Sequence, residues 1–599
     1  MSDATPAPLD PERIARINAN VAKLEELSQR LVAALARRKP HHPGLDAPGP
    51  ELYAKAATAL MAEMMTNPAR IIEQQVSYWT RTLQNLIEVQ QALAAGDLSA
   101  LEKEPPPDKR FANPLWRTHP WFHFLMHQYL LNADAIRRAV DQLEGLDEKE
   151  RKRVAFFAEQ LAELISPTNF LATNPEALQR AIETDGESLV AGLENLVRDL
   201  ERNDGELLVT LADPDAFKVG ENLATTPGGV VYRNRMFELI QYAPSTDKVH
   251  RIPLLIFPPW INKFYILDLN EKKSLVRWLV DRGFTVFMVS WVNPDASYAD
   301  VGLDTYIEEG YREAITQVCA ITGEEKINVT GYCIGGTTLA ATLAYMAAID
   351  DNRVRSATFF TTLTDFTDAG EVGVFLSEDF ISAIEAEVEA KGYLSSFFLK
   401  RTFSYLRPSD LVYQPAVRSY LLGEKPPAFD LLYWNGDSTN LPARMAVEYL
   451  RRWCQGNELA RGTWTINGVQ VNLKDVRVPS MAIACETDHI APWRSSYRGL
   501  RLLGRRPEFV LTQSGHIAGI VNPPTKRKYD HFTNPDWPAD PEDWLSAAER
   551  HEGSWWPRWG GWLARRSGAK IPARTRLGDD AHPVLCPAPG TYVLARSDE

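Results

Sequence analysis

Strands alternating with helices around a mostly parallel sheet, an α/β fold, is what the second half of this chain predicts, and three observations carry the prediction. Short β-branched and aromatic runs at 230–232, 237–242, 254–257, 285–290, 327–330 and 356–362 are interleaved with helical stretches at 274–282 and 305–322, and such alternation implies parallel pairing. The run at 327–330 meets Gly331-Tyr332-Cys333-Ile334-Gly335 and then an alanine-rich helical stretch, which is the strand, sharp turn and helix that hold a nucleophile at their tip. Two later strand signals, 481–485 and 509–512, are each followed by a loop with a residue able to serve that nucleophile, Asp488 and then His516.

Before the sheet the chain has another texture. Residues 1–10 and 38–50 are rich in Pro, Ala and His. Between them Ile14, Ile17, Val21, Leu24, Leu31 and Leu35 recur at helical spacing, giving an amphipathic helix that must meet an apolar partner; its own core is the expected one. From 51 to 205 the signals stay helical, broken at Pro105–Pro107, Pro114, Pro120 and Pro167. His119, His123 and His127 fall four apart without a carboxylate to complete a metal site, and read as packing or surface residues. The expected organisation is a helical N-terminal domain over 1–215 and a catalytic domain over 216–599. Alternation lapses at about 365–475, where helical and aromatic segments form a cap insertion over the site.

Composition narrows the function. A chain of 599 residues with 45% hydrophobic and 24% charged residues is a globular protein with a large core, and a net charge of −13 argues against nucleic-acid binding. No basic start followed by an apolar run marks a signal peptide, and the longest helical apolar run, 339–349, is too short to cross a bilayer. Five cysteines without a C-x-x-C pair suggest neither a disulfide framework nor a zinc site, so a reducing, cytoplasmic setting is expected.

The chemistry then concentrates on three residues. Gly331 and Gly335 are expected because the strained turn leaves no room for a Cβ, and a thiol at Cys333 lies at a helix N-terminus, where thiolate is favoured over thiol. The order nucleophile, acid, histidine matches an α/β-hydrolase fold, in which all three ride on loops at one end of the sheet. Asp365 is the alternative to Asp488, and His489 to His516. Asp437 reads as a turn residue of the cap, and Cys319, Cys454 and Cys485 as buried, unreactive thiols. Backbone N–H groups of Ile334 and of Ile261, in the loop after the 254–257 strand, are the expected oxyanion hole. Trp260 and His489 are candidate substrate contacts. Lys526 and Arg527, with Lys528, form a basic cluster that either binds phosphates or is a solvated run.

These stretches together resemble a class I polyhydroxyalkanoate synthase. The resemblance covers about residues 110–570 and rests on Ser166-Pro167-Thr168-Asn169-Phe170, Pro258-Pro259-Trp260-Ile261-Asn262-Lys263, Gly331-Tyr332-Cys333-Ile334-Gly335-Gly336, Trp434-Asn435-Gly436-Asp437, Asp488-His489-Ile490 and Ser514-Gly515-His516-Ile517-Ala518-Gly519. It implies that Cys333, Asp488 and His516 are the catalytic positions. The implied substrates are (R)-3-hydroxyacyl-CoA thioesters of short chain, 3-hydroxybutyryl-CoA above all, with coenzyme A as product and no further cofactor. It also implies a homodimer associated with a growing polyester granule and its proteins. Trp260 stands where some members carry Cys, so the wall of the substrate entry is expected to differ. A cysteine-dependent thioesterase or depolymerase would have the same triad, and a noncatalytic granule-binding protein would not need it.

Overall fold

The computed structural model describes residues 11–38, 41–45, 50–95 and 108–596. Eight helices longer than a 3-10 turn precede the first strand among the described residues. Three of them, α1 (Pro11–Leu35), α2 (Pro50–Thr66) and α3 (Pro68–Ala95), come before residue 100; α4 (Pro120–Asp141), α5 (Glu148–Leu164) and α6 (Glu187–Arg202) follow. Helix α5 starts on a capping box, Asp147 and Glu150 each bonding the other's backbone N–H.

Helix α1 corrects the expected stripe in part. Ile17 and Leu24 and Leu31 are half-buried with Leu27 and Ala34 buried, whereas Ile14, Val21 and Leu35 are exposed. A straight helix buries one face, and the ion pairs of Arg13 with Asp185 and of Arg30 with Glu201 select the face turned to α6.

Among the described residues the sheet has eleven strands. In chain order they are β1 (Gly228–Arg233), β2 (Phe237–Tyr242), β3 (Leu254–Phe257), β4 (Val286–Trp291), β5 (Ile327–Tyr332), β6 (Val354–Phe360), β7 (Ser480–Cys485), β8 (Glu508–Thr512), β9 (His531–Thr533), β10 (Glu549–His551) and β11 (Cys586–Pro587). They lie side by side as β10-β9-β8-β7-β6-β5-β3-β4-β2-β1-β11. Strands β4, β3, β5, β6, β7 and β8 run parallel, and the flanking pairs are antiparallel. Both faces are covered, which is why the central strands read as unbroken apolar runs. Leu255 and Phe257 enter one core, Leu254 and Ile256 the other.

Between β6 and β7 the chain makes the cap, with helices Glu378–Lys391 and Ser396–Leu406 and several short π-helices. The N-terminal helices dock onto it. Tyr420 donates to Asp199 at 2.6 Å, Asn195 donates to the carbonyls of Ser419 and Glu424, and Arg153 pairs with Asp379. A Cβ on Gly192 would lie 2.0 Å from the Tyr420 carbonyl oxygen, so this approach requires glycine.

Candidate active site

Cys333 sits between β5 and helix α7 (Ile334–Ala348), with φ 55° and ψ −126°. A non-glycine residue there is strained, and its neighbours show what holds it. A Cβ on Gly331 would lie 2.6 Å from the Gly336 Cα, and one on Gly335 2.6 Å from the Pro258 carbonyl oxygen. Strand, helix and the loop after β3 therefore meet with no space for larger residues. The Cys333 N–H is tied to the Phe360 carbonyl at 2.8 Å. Helix α7 is buried from Ile334 to Met346, and each fully buried leucine in it, such as Leu339, contributes on the order of 2 kcal/mol.

His516 and Asp488 arrive on the loops after β8 and β7. The His516 Nδ1 lies 2.6 Å from Asp488 Oδ2, and since a carboxylate oxygen accepts, Nδ1 is the donor and Nε2 is the nitrogen left for another partner. Asp488 Oδ1 is held by the N–H groups of Ile490 at 2.9 Å and Ala491 at 2.8 Å. The imidazole stacks on Tyr332, with ring centroids 5.8 Å apart, and Tyr332 donates its hydroxyl to the His516 carbonyl. Burial opposes charge on His516, but the Asp488 carboxylate and then the Cys333 sulfur, which is within hydrogen-bonding contact of the ring, raise its pKa well above the ordinary histidine value.

The alternatives are engaged elsewhere. Asp365 accepts from the N–H and hydroxyl of Thr367 and from Asn457. His489 is driven down to about 4, chiefly by burial and next by Arg407, and its buried Nδ1 has no hydrogen-bond partner among the described residues. Burial also raises the other four thiols: Cys454 to about 12, Cys485 well above its usual value, and the half-buried Cys319 and Cys586 above theirs.

A cavity of about 70 Å³ opens at Cys333, lined by Ile261 and Ile334 on the sheet side and by Val372, Leu376, Phe403 and Tyr449 from the cap. Ile334 is the first residue of α7, where N–H groups have no intrahelical acceptor. Trp260 does not line this cavity. It is 1% exposed, donates Nε1 to Thr338 at 3.0 Å, and meets Tyr449 edge to face. Lys526 and Arg527 lie exposed on and just after the turn Pro524–Lys526.

Sequence reasoning missed how the loop carrying Ile261 is fixed. Buried Lys263 donates to the carbonyls of Val593 at 2.7 Å and Ala595 at 2.6 Å and pairs with Asp437 at 3.0 Å. Trp434 donates to the Lys263 carbonyl, and Thr439 bonds the carbonyls of Trp260 and Ile261. Asp437, read from the sequence as a turn residue, is thus half of an ion pair joining cap and loop. Tyr449 carried no signal, because it reaches the cavity from a π-helix, Tyr449–Gln455.

With this geometry in hand, two family models match the chain. One, described as poly-beta-hydroxybutyrate polymerase (PhaC) N-terminus, covers residues 107–279, and one for the alpha/beta hydrolase fold covers residues 252–523. Among curated proteins, the poly(3-hydroxyalkanoate) polymerase of Methylorubrum extorquens is 43% identical over 604 residues, covering 99% of each chain. The poly(3-hydroxyalkanoate) polymerase subunit PhaC of Cupriavidus necator is 43% identical over 561 residues, 93% of this chain and 91% of that one. That of Rhizobium etli is 40% identical over 599 residues, 98% and 93%.

Proposed function

The chain belongs to the poly(3-hydroxyalkanoate) polymerase family, and from that premise we propose that it links (R)-3-hydroxyacyl units through an acyl-Cys333 intermediate, with His516 as base and Asp488 as its orienting acid. The observation that carries the reading is the 2.6 Å bond from His516 to Asp488 with the other edge of the imidazole against Cys333.

In the first step Cys333 gives its proton to His516 Nε2 and its sulfur attacks the acyl-CoA carbonyl. The N–H groups of Ile334 and Ile261 take the developing oxyanion charge. Collapse breaks the carbon–sulfur bond to coenzyme A, whose thiolate receives the proton from His516. What remains on Cys333 is still a thioester. In the second step a 3-hydroxyl of another acyl unit gives its proton to His516, its oxygen attacks the thioester carbonyl, and the Cys333 thiolate leaves and recovers the proton. One thioester is exchanged for one oxyester, a downhill exchange because thioesters are the more activated.

Acylation also prepares His516 for that second step. The Cys333 sulfur is one of the two groups that raise the His516 pKa, and once it is acylated that contribution is gone, so the imidazole becomes easier to deprotonate while the bond to Asp488 keeps it oriented. Cap residues Val372, Leu376, Phe403 and Tyr449 close the cavity with apolar surface, which disfavours water as a competing nucleophile. A cavity of about 70 Å³ favours short acyl chains. His489, neutral and with an open Nδ1, is a candidate donor or acceptor for the substrate. Lys526 and Arg527 are candidate phosphate contacts on the basis of charge and exposure alone.

Contact with the polyester granule is supported by α3. Ile72, Val76, Trp79, Leu83 and Leu86 are exposed at alternating spacings of four and three, an apolar stripe of a kind that marks an interaction surface. No helix of the described residues is long and apolar enough to cross a membrane. The polymerase reading is tested by incubating the full chain with 3-hydroxybutyryl-CoA, following coenzyme A release and sizing the acyl product. Polymer is expected; free 3-hydroxybutyrate as the main product would favour a hydrolase.

A further inference from the structure

We infer that the growing chain leaves the active site through a partition in the cap and runs out along an apolar cleft between the cap and the N-terminal helices, an inference that rests on the polymerase reading above. The cleft has a volume of about 700 Å³, ten times the 70 Å³ at Cys333. A hydroxybutyryl repeat of six heavy atoms fills roughly 100 Å³ at protein-like packing density. The cavity at Cys333 therefore takes about one unit, and a lengthening chain needs other space.

The two spaces share a wall. In the turn Gly370–Phe375 and the residue after it, Val372 and Leu376 line the site cavity while Phe375 lines the cleft. Helix α8 (Ser396–Leu406) repeats the arrangement, with Phe403 toward the site and Thr402 and Tyr405 toward the cleft. Only one layer of side chains separates them. Gly370, with φ +61°, begins the turn, and a position of that kind is suited to absorb a hinge rotation that would withdraw Phe375. On the cleft side the Phe375 ring meets Phe156 edge-on and Phe380 at a tilt, contacts that a rotating ring exchanges for equivalent ones.

The lining suits an aliphatic polyester better than a charged ligand. Such a chain offers hydrocarbon and ester oxygens, which accept hydrogen bonds and donate none. The cleft is mostly aromatic and aliphatic, its one charged side chain among the described residues is Arg401, and Gln160, Thr402 and Tyr413 add donors, the Tyr413 hydroxyl being kept protonated by burial with a pKa of about 12. At its outer end Tyr53, Leu161 and Leu164 are 55%, 52% and 51% exposed. These residues of α2 and α5 give the cleft an apolar mouth on the N-terminal half, the half that also presents the exposed α3 stripe.

The test uses the full chain with a few equivalents of tritiated 3-hydroxybutyryl-CoA. Ala158, which lines the cleft from α5, is replaced by a residue that fills it, Ala158→Trp. The first burst of coenzyme A is expected to keep its wild-type rate and amplitude, while chains held on the protein, read by intact-protein mass spectrometry, become several-fold shorter. A second measurement needs no filling of the cleft: p-benzoylphenylalanine in place of Leu161 is irradiated after priming, with the same group in place of Lys474, at the sheet end where the strands start, as control. Labelled polyester is expected to cross-link severalfold more at 161 than at 474. If Ala158→Trp does not fold, the cross-link decides alone. Wild-type chain lengths in Ala158→Trp, or no excess of label at 161, overturns the route. Absence of polymer from the unaltered protein would instead overturn the polymerase reading on which the route rests.

Discussion

Replacing Asp488 by Asn should do more damage than the loss of one charge, because the surrounding backbone decides which way the new amide points. The Oδ1 position receives two N–H groups, from Ile490 and Ala491, and only an oxygen can satisfy them. The amide nitrogen of Asp488→Asn is therefore forced into the Oδ2 position, 2.6 Å from His516 Nδ1. There it donates, so Nδ1 must accept and the ring proton moves to Nε2, the nitrogen that should act as base. Losing a charge-assisted hydrogen bond alone costs about 1.5–3 kcal/mol, or roughly ten- to a hundredfold in rate; the inverted tautomer takes the expected loss in elongation to about 10⁴-fold, the size seen when a triad acid is converted to its amide. Acylation should suffer less, since a thiol loses its proton far more readily than an alcohol. Rapid-quench measurement of coenzyme A should show one burst of near-normal amplitude followed by a stall, with a short acyl chain left on Cys333. Equal loss of burst and turnover would refute the division of labour between the two steps, and normal turnover would remove Asp488 from the site altogether.

Three further outcomes follow from the same geometry. Iodoacetamide should modify Cys333 well ahead of the other cysteines, because burial raises the pKa of each of the other four; peptide mapping that found Cys586 labelled first would show that access outweighs activation. His489 is held neutral, with a pKa of about 4 against 6.5, so between those values the unfolded chain binds a proton the folded one refuses, and stability falls as pH drops through that window by up to about 3 kcal/mol. His489→Asn should flatten that part of the stability-versus-pH curve, and an unchanged slope in denaturant titrations at pH 6 and pH 4.5 would exclude the assignment. On α3, Val76→Glu, Trp79→Glu and Leu83→Glu together should release the protein from sedimenting polyester granules without altering the first coenzyme A burst; unchanged sedimentation would show that the stripe has another partner.

Much of the site is legible in the sequence because strain leaves a mark there. A turn at φ 55° on Cys333, with backbone atoms 2.6 Å from where a Cβ of Gly331 or Gly335 would stand, fixes residue types within a few positions. Strands β3 to β8 are equally readable, since burial on both faces demands apolar runs. Asp488 and His516 were findable by their order after late strands, although only the fold brings them to 2.6 Å. What the sequence hid are contacts between distant residues with no local pattern. Lys263 and Asp437 pair although they lie far apart in the chain, and nothing in the sequence around Tyr449 announces that a π-helix carries it to the cavity at Cys333. The stripe on α1 was misjudged for a related reason: periodicity gives a face, but ion pairs to Asp185 and Glu201 choose how it is rotated.

The central claim is that Cys333 carries the growing acyl chain, and it is tested most directly by mass. The full chain, mixed with a few equivalents of 3-hydroxybutyryl-CoA and quenched in acid, should show a ladder of adducts spaced by one hydroxybutyryl unit, all mapping to the peptide that contains Cys333 and all absent from Cys333→Ala. A ladder on another residue, or polymer formed by Cys333→Ala, would contradict it.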